Sequence, residues 1–219
     1  MEKITNEMLK KHRIFVEGRN DQIFLRDCFK VWYNCELNEA QLNDFIVNCN
    51  GITKLEKDPN FKSYKPRKDL GGVDLIIFDT DSQNQDFGTR EKRLEYINGI
   101  LEKRDHLAFV YLLPDNKSAV GNLESLINSC KTETYKPLED CWNKYTQCIE
   151  QLAIEKVKIE KDSEIYVYFD LLKYYYRIKG NGPKLENRQY CDDALFNLNS
   201  DSNPNLKSLR FFIEEKFAA

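Results

Sequence analysis

Histidine is scarce in this chain, where only His12 and His106 occur among 219 residues. A zinc site built from several histidines and a Ser-His-Asp hydrolase are therefore both poor candidates. The seven cysteines include no Cys-x-x-Cys pair, so their spacing does not indicate a zinc site. The odd number of cysteines and the lack of a signal-peptide pattern favour reduced thiols in a cytoplasmic protein.

Long hydrophobic runs and an excess of positive charge are also missing. The longest apolar run, from Leu107 to Leu113, is about a third of the length that a membrane span needs, so no membrane partner is expected. Lys and Arg together number 33 against 36 Asp and Glu, a net charge of −3. Because no global positive field draws the protein to nucleic acid, any such contact must be local. The chain also has no G-x-G-x-x-G motif and no P-loop, which excludes a glycine-rich nucleotide loop.

Apolar residues are nevertheless abundant enough to build a core. Hydrophobic residues make up 41% of the chain and charged residues 32%, which excludes disorder and fibres. The length is typical of one domain, or of one domain with a large appendage. No internal repeat and no low-complexity linker interrupts the chain.

The first half of the chain alternates strand-like and helix-like segments. Short apolar runs predict strands over 13–16, 45–47, 74–78 and 107–113. Helical spacing of apolar residues predicts helices over 21–32 and 89–104. Such alternation is typical of a parallel sheet covered on both faces, so we predict a Rossmann-like α/β fold with a mainly parallel sheet flanked by helices.

After Gly121 the alternation stops and only helices are indicated. They are predicted over 123–127, 138–153, 165–176 and 206–217. We therefore predict an α/β core over residues 1–130 and a C-terminal helical extension over 131–219, packed on that core.

Acidic residues follow three of the predicted strands. In chain order they are Glu17, Asp21, Asp79, Asp81, Asp115 and Glu124. The carboxyl ends of parallel strands meet at one edge of a sheet, where ligands of such folds bind. Clustered carboxylates repel one another unless a cation joins them, and hard divalent cations prefer oxygen ligands. The alternative is structural, because Asp and Asn at strand ends also cap the following helices.

Two motifs give this acidic pattern a family resemblance. Glu17-Gly18-Arg19-Asn20-Asp21 after one strand and Asp79-Thr80-Asp81 after a later one resemble the Toprim domain of topoisomerases, DnaG-type primases, ribosomal-RNA maturases and OLD-type nucleases. Leu113-Pro114-Asp115-Asn116 and Gly121-Asn122-Leu123-Glu124 are similar to a family of stand-alone Toprim-like proteins of bacteria and archaea. The resemblance covers roughly residues 12–128.

The resemblance implies a role for each acidic residue. Glu17 matches the Toprim glutamate, a general acid/base or metal ligand, and Asp79 and Asp81 match the aspartates that hold Mg²⁺ or Mn²⁺. Asp21 falls where OLD-type domains have a second acid, which serves a second metal, and Glu124 is a further metal ligand. The implied activity is metal-dependent, nuclease-like phosphoryl transfer on nucleic acid or nucleotide phosphates. The chain has no ATPase domain, zinc ribbon or topoisomerase tyrosine domain, so the resemblance does not specify the reaction.

Two other functions remain open at this stage. The first is a non-catalytic Toprim-like module that binds nucleic acid or a protein. The second is a haloacid-dehalogenase-type phosphatase, because residues 77–81 also resemble the nucleophile motif of those enzymes. That motif normally opens the chain, whereas here a strand and a helix precede it, and no convincing lysine and acidic motif follow it.

One segment has a local positive excess. Residues 54–68 hold six basic residues against two acidic ones, interleaved with Phe61 and Tyr64. Basic residues suit a nucleic-acid backbone and aromatic rings suit stacked bases, so this segment is the candidate contact for DNA or RNA. The candidate residues are Lys62, Lys65, Arg67 and Lys68. The alternative is an ordinary solvated, lysine-rich loop.

Overall fold

The structure is a computed structural model that describes residues 4–80, 87–133, 136–152, 159, 163–164, 167, 190–191, 193 and 195–218. The chain divides into two compact units. The first comprises residues 1–130 together with 198–219, and the second comprises residues 131–197.

A four-stranded sheet forms the centre of the first unit. Its strands are β1 (Arg13–Val16), β2 (Ile46–Asn48), β3 (Asp74–Asp79) and β4 (Ala108–Leu113). Their order is β2-β1-β3-β4 and every neighbouring pair is parallel, which confirms the predicted Rossmann-like α/β fold. The central strands β1 and β3 are buried almost throughout, which is why they are continuous apolar runs rather than alternating ones.

Helices connect and cover the strands of this unit. They are α1 (Asn6–Lys11), α2 (Arg19–Tyr33), α3 (Glu39–Phe45), the 3-10 helix Ile52–Lys57, α4 (Pro59–Lys62), α5 (Lys65–Asp69), α6 (Arg90–Arg104) and α7 (Leu123–Asn128). Periodicity predicted the longer ones, α2 and α6. The short helices α1 and α3 were not predicted, because one or two turns give too few apolar repeats. Each begins at a side-chain cap instead, the Thr5 hydroxyl and the Asn38 amide oxygen.

The two faces of the sheet are covered by different helices. On one face a buried cluster joins Phe15 of β1, Phe78 of β3 and Leu112 of β4 to Ile97 and Ile100 of α6. On the other face Tyr111 of β4 contacts Phe212, with 5.2 Å between the ring centroids. Phe212 lies on the C-terminal helix α9 (Pro204–Phe217), which follows a 3-10 turn at Ser200–Ser202. Alternate residues of each strand therefore serve alternate faces.

The C-terminal helix groups with the first unit rather than with residues 131–197. A helix over 206–217 was expected in the extension of residues 131–219, but residues 198–219 belong to the first unit. The Trp32 indole donates to the Leu198 carbonyl at 2.7 Å, and the Asn203 amide donates to the Ser129 carbonyl at 2.9 Å. Helical periodicity shows which face of α9 is apolar, but not which partner that face buries.

The second unit contains α8 (Lys136–Gln151), which agrees with the helix predicted over 138–153. Within this unit Lys131 pairs with Phe196 in an isolated antiparallel bridge, and its ammonium contacts the Glu164 carboxylate at 2.6 Å. The helix predicted over 165–176 lies almost entirely outside the described residues.

Among the residues that the structure describes, no helix is both long enough and apolar enough to cross a bilayer.

Candidate functional site

A crevice is expected where the connections of the sheet change direction. From β1 the chain moves to β2 on one side, then crosses to β3 on the other side of β1. Ligands of open α/β sheets bind at such a switch point, beyond the carboxyl ends of the strands. Glu17 directly follows β1 and Asp79 is the last residue of β3, so both lie at this point.

Glu17 links the ends of the two central strands. Its Oε2 accepts a hydrogen bond from the backbone N–H of Asp79 at 3.1 Å and a second one from Nη1 of Arg93. Arg93 lies on α6 and is 2% exposed, and its Nε donates to the Phe87 carbonyl at 2.9 Å. The glutamate is therefore held in one orientation by a backbone amide and a buried guanidinium.

Asp21 caps the helix that follows Glu17. Its Oδ2 accepts the Gly18 N–H at 2.9 Å, which satisfies the N-cap backbone amide at the start of α2. Its Oδ1 is buried and has no hydrogen-bond partner. Burial, followed by the negative charge of Glu17 and a smaller contribution from Glu124, raises the pKa of Asp21 to about 7. Glu17, Asp21 and Glu124 therefore lie within electrostatic range of one another.

Asp79 connects the sheet to α7. Its Oδ1 accepts the Leu123 N–H, the first of that helix, at 2.8 Å. The next residue, Thr80, donates its hydroxyl to the carbonyls of Leu113 and Gly121. These bonds fix the start of α7 beside the end of β3, and Glu124 is its second residue. Gly121 is required here because a Cβ at this position would lie 2.3 Å from Cδ of Pro114.

The carboxylates at this end of the sheet are donors of the kind that a hard divalent cation takes, but the described residues alone do not form a complete metal site. Each of Glu17, Asp21 and Asp79 has one carboxylate oxygen fixed by a backbone amide. Asp21 also offers a buried oxygen without a partner, and carboxylate oxygens are the ligands that Mg²⁺ prefers. Over the described part of the chain, no three His, Cys, Asp or Glu residues form a group that could hold a metal ion. Asp81 lies outside the described residues.

Asp115 has a structural role instead. Its carboxylate accepts the N–H groups of Lys117 and Ser118 and the Ser118 hydroxyl, at 2.8–2.9 Å. Desolvation acts to raise its pKa, but these bonds outweigh it and the pKa is lowered. Asp115 is therefore accounted for by the turn that its carboxylate stabilises.

Arg93 is the site residue that the sequence analysis missed. It lies one turn before Ile97 on the buried stripe of α6, where an apolar residue is expected. A basic residue on an apolar stripe was the only signal in the sequence, and it does not by itself identify the partner.

The basic segment differs from its prediction. Phe61 and Tyr64 are buried and are not available to stack on bases. Arg67 is buried too, and its Nη2 contacts the Asp74 carboxylate at 2.7 Å, so it is not available as a phosphate contact. Lys62, Lys65 and Lys68 are exposed, as predicted for a solvated loop.

The part of the basic segment around Arg67 also lies near the amino ends of the strands, whereas the acidic residues lie at the carboxyl ends. Arg67 contacts Asp74, the first residue of β3, whereas Glu17 contacts Asp79, the last. Asp74 and Asp79 are five steps apart along the strand, a distance of about 16 Å. The lysines near Arg67 and the acidic residues therefore do not form one continuous binding surface.

Asp21→Asn is expected to remove a pH dependence of stability. A folded-state pKa raised to about 7 gives stability that is fully present below about pH 4 and is lost as the pH rises through 7. Asparagine keeps the oxygen that accepts the Gly18 N–H but cannot ionise. In EDTA, we expect the free energy of unfolding of the variant minus that of the wild type to increase by about 2–4 kcal/mol from pH 4 to pH 8.

Urea unfolding at pH 4 and pH 8 measures this difference. The exposed residue Asp69 supplies the control, Asp69→Asn, which should show no comparable change. An equal stability difference at both pH values for Asp21→Asn would contradict the assignment.

A family model matches most of the chain. The model is described as "Protein of unknown function (DUF3226)" and covers residues 11–170. The chain belongs to the DUF3226 family. The segment shared with DUF3226 includes all four strands and every acidic residue discussed above. Neither a curated protein nor a solved structure matches the chain.

Proposed function

We propose that this DUF3226 protein is a Mg²⁺- or Mn²⁺-dependent phosphoryl-transfer enzyme, nuclease-like in its chemistry. The observation that carries the proposal is the set of three carboxylates at the switch point, each fixed through one oxygen by a backbone amide. Side chains that are fixed before a ligand arrives avoid the cost of being ordered when it binds.

The acidic residues divide into two roles. Asp79 with Asp21 and Glu124, joined by Asp81, would hold the metal. A bound divalent cation supplies positive charge that neutralises phosphate oxygens. Glu17 is assigned the proton transfer, because Arg93 and the Asp79 amide hold it in a defined orientation at the same edge.

The substrate class is a nucleic acid or a nucleotide phosphate. The exposed residues Lys62, Lys65 and Lys68 are the proposed contact for DNA or RNA. Because they lie towards the other edge of the sheet, they would add affinity for a long polymer rather than orient the reacting phosphate. A small phosphodiester tests the acidic site without them.

The first test is metal binding by the wild type and by Asp79→Asn. Mn²⁺ at millimolar concentration should raise the melting temperature of the wild type by several degrees, because it binds the folded state preferentially. Asp79→Asn should lose this response, although its amide oxygen can still accept the Leu123 N–H.

Asp115→Asn is the matched control for this test. It removes a carboxylate that forms a turn and should keep the Mn²⁺ response. A wild-type protein with no Mn²⁺ shift would overturn the enzyme proposal and favour the non-catalytic binding module.

A further inference from the structure

The strand β4 lies at one edge of the sheet and has a neighbouring strand on one side only. It pairs with β3, and within the described residues no further strand or bridge joins its other side. Its six residues, Ala108–Leu113, include no charged residue and no proline. Edge strands of soluble proteins are usually protected by charges, prolines, bulges or very short length, because an open edge pairs with other strands. The opposite edge, β2, is only three residues long, whereas β4 has none of these protections.

The backbone directions along β4 show which of its groups are open. The Leu112 N–H donates to Asn116 Oδ1 at 3.0 Å, and the Leu112 carbonyl accepts the Asn116 N–H at 2.7 Å. Both groups of Leu112 therefore point away from β3. Because backbone groups alternate in direction along a strand, those of Ala108 and Val110 point to the same side. Both residues are partly exposed, and in the described part of the chain no hydrogen bond reaches their outward groups.

An exposed apolar pair lies beside these open groups. Leu107 directly precedes β4 and is 63% exposed, and Phe109 is partly exposed. Alternate residues of a strand share a face, so the two side chains lie on the same face of the sheet. Nζ of Lys216 lies 4.8 Å from the centroid of the Phe109 ring and also pairs with Glu215, which compensates its charge. The edge therefore offers both hydrogen-bonding groups and apolar surface.

This edge fits a second copy of the chain better than a long extended peptide. Since Asn116 occupies the outward groups of Leu112, only Ala108 and Val110 remain open. A two-fold axis at Phe109 pairs Ala108 of each copy with Val110 of the other, and each such pair exchanges two hydrogen bonds. Every open group of both edges is then used. A longer peptide would gain no backbone hydrogen bond beyond Val110.

We infer that the β4 edge is a homodimer interface, at which two copies pair antiparallel about Phe109 and their sheets join into one. The interface is closed by two-fold symmetry, so no open β4 edge remains for further copies. The two Phe109 rings lie directly opposite each other, and Leu107 lies diagonally across from the ring of the second copy. The interface does not involve the acidic residues or a metal, so its test is independent of the proposed function.

The first test is the mass in solution, measured by light scattering and sedimentation at micromolar concentrations. The wild type should have twice the mass of one chain. Ala108→Pro should weaken the dimer at least about tenfold, because it removes one outward N–H donor from each copy. The ladder with β3 remains, because that N–H points away from β3, and circular dichroism checks the fold. Phe211→Lys is the control, since Phe211 is exposed on α9 rather than on the strand, and it should leave the dimer intact.

The second test is disulfide crosslinking, which reports the register. Cα atoms of directly opposite residues in an antiparallel pair lie about 4.5–5.5 Å apart, within the range of a disulfide. Phe109→Cys should therefore give a covalent dimer when oxidised with diamide. Ala108→Cys is the matched control, because its Cα lies about 8 Å from its own copy across the axis, which is too far. Both changes are made with the exposed Cys141 and Cys148 replaced by serine.

Four results would overturn the inference. They are a wild-type protein that stays monomeric in the high micromolar range, a dimer that folded Ala108→Pro does not weaken, a dimer that Phe211→Lys dissociates, and crosslinking that is as efficient through Ala108→Cys as through Phe109→Cys. If Ala108→Pro does not fold, the crosslinking pair decides the register without it. None of these results bears on Mn²⁺ binding, so the proposed function stands or fails separately.

Discussion

Glu17→Gln is expected to lower the rate of Mn²⁺-dependent phosphodiester hydrolysis by about 10²–10⁴-fold, the usual contribution of a positioned acid/base. The amide is almost isosteric and still presents an oxygen to the Asp79 N–H. It cannot take up or deliver a proton at neutral pH. The loss of activity should therefore exceed any loss of structure.

The substrate for this measurement is bis(p-nitrophenyl) phosphate, with a short single-stranded DNA as the polymeric alternative. Glu91→Gln, on the exposed face of α6, is the control that should keep the wild-type rate. Circular dichroism and the Mn²⁺ melting shift check that the variant is folded and still binds metal. A Glu17→Gln rate within threefold of the wild type would assign the proton transfer to another group.

Asp74→Asn is expected to lower the free energy of unfolding by about 3–5 kcal/mol, the cost of leaving a buried charge without its partner. Asp74 is 3% exposed and accepts from Nε and Nη2 of Arg67 at 3.2 and 2.7 Å. His106 Nε2 lies 2.9 Å from the same carboxylate. Asparagine keeps one oxygen that can accept from Arg67, but the buried guanidinium then has no negative charge to pair with, only neutral acceptors such as the Ser63 and Asn60 carbonyls.

Urea unfolding of Asp74→Asn and of the exposed control Asp69→Asn measures this effect, and the control should change by less than about 0.5 kcal/mol. Because Asp74, Arg67 and His106 lie at the amino ends of the strands, Mn²⁺ binding at the carboxyl ends should remain. A loss below about 1 kcal/mol for Asp74→Asn would show that the network is not a principal element of stability.

The pairing of Arg67 with Asp74 also explains why the basic segment was only partly understood from the sequence. Composition correctly placed Lys62 and Lys68 on the surface, because a charge run without an apolar repeat is usually solvated. It could not separate Arg67 from them, because a basic residue is recognised as buried only when its acidic partner is known. That partner, Asp74, is seven residues away across a turn.

The helical half of the chain shows a similar limit. The apolar repeat of α9 was sufficient to predict a helix, and the structure places one at Pro204–Phe217. The repeat could not assign the helix to the first unit, where Tyr111 of β4 packs against it. Periodicity describes the face of one element, whereas assignment to a unit depends on two complementary faces.

The sequence by itself determined the parallel α/β sheet and the acidic residues that end its central strands. Buried strands need continuous apolar runs, and those runs stop where Glu17 and Asp79 begin to contact polar groups. Only the tertiary structure decided which charges and hydrogen bonds surround those acidic residues. It placed Arg93, 76 residues along the chain, against Glu17, and it left one oxygen of Asp21 buried without a partner. Ion pairs across such separations depend on how α6 packs against the sheet, and no local pattern of residues encodes that distance.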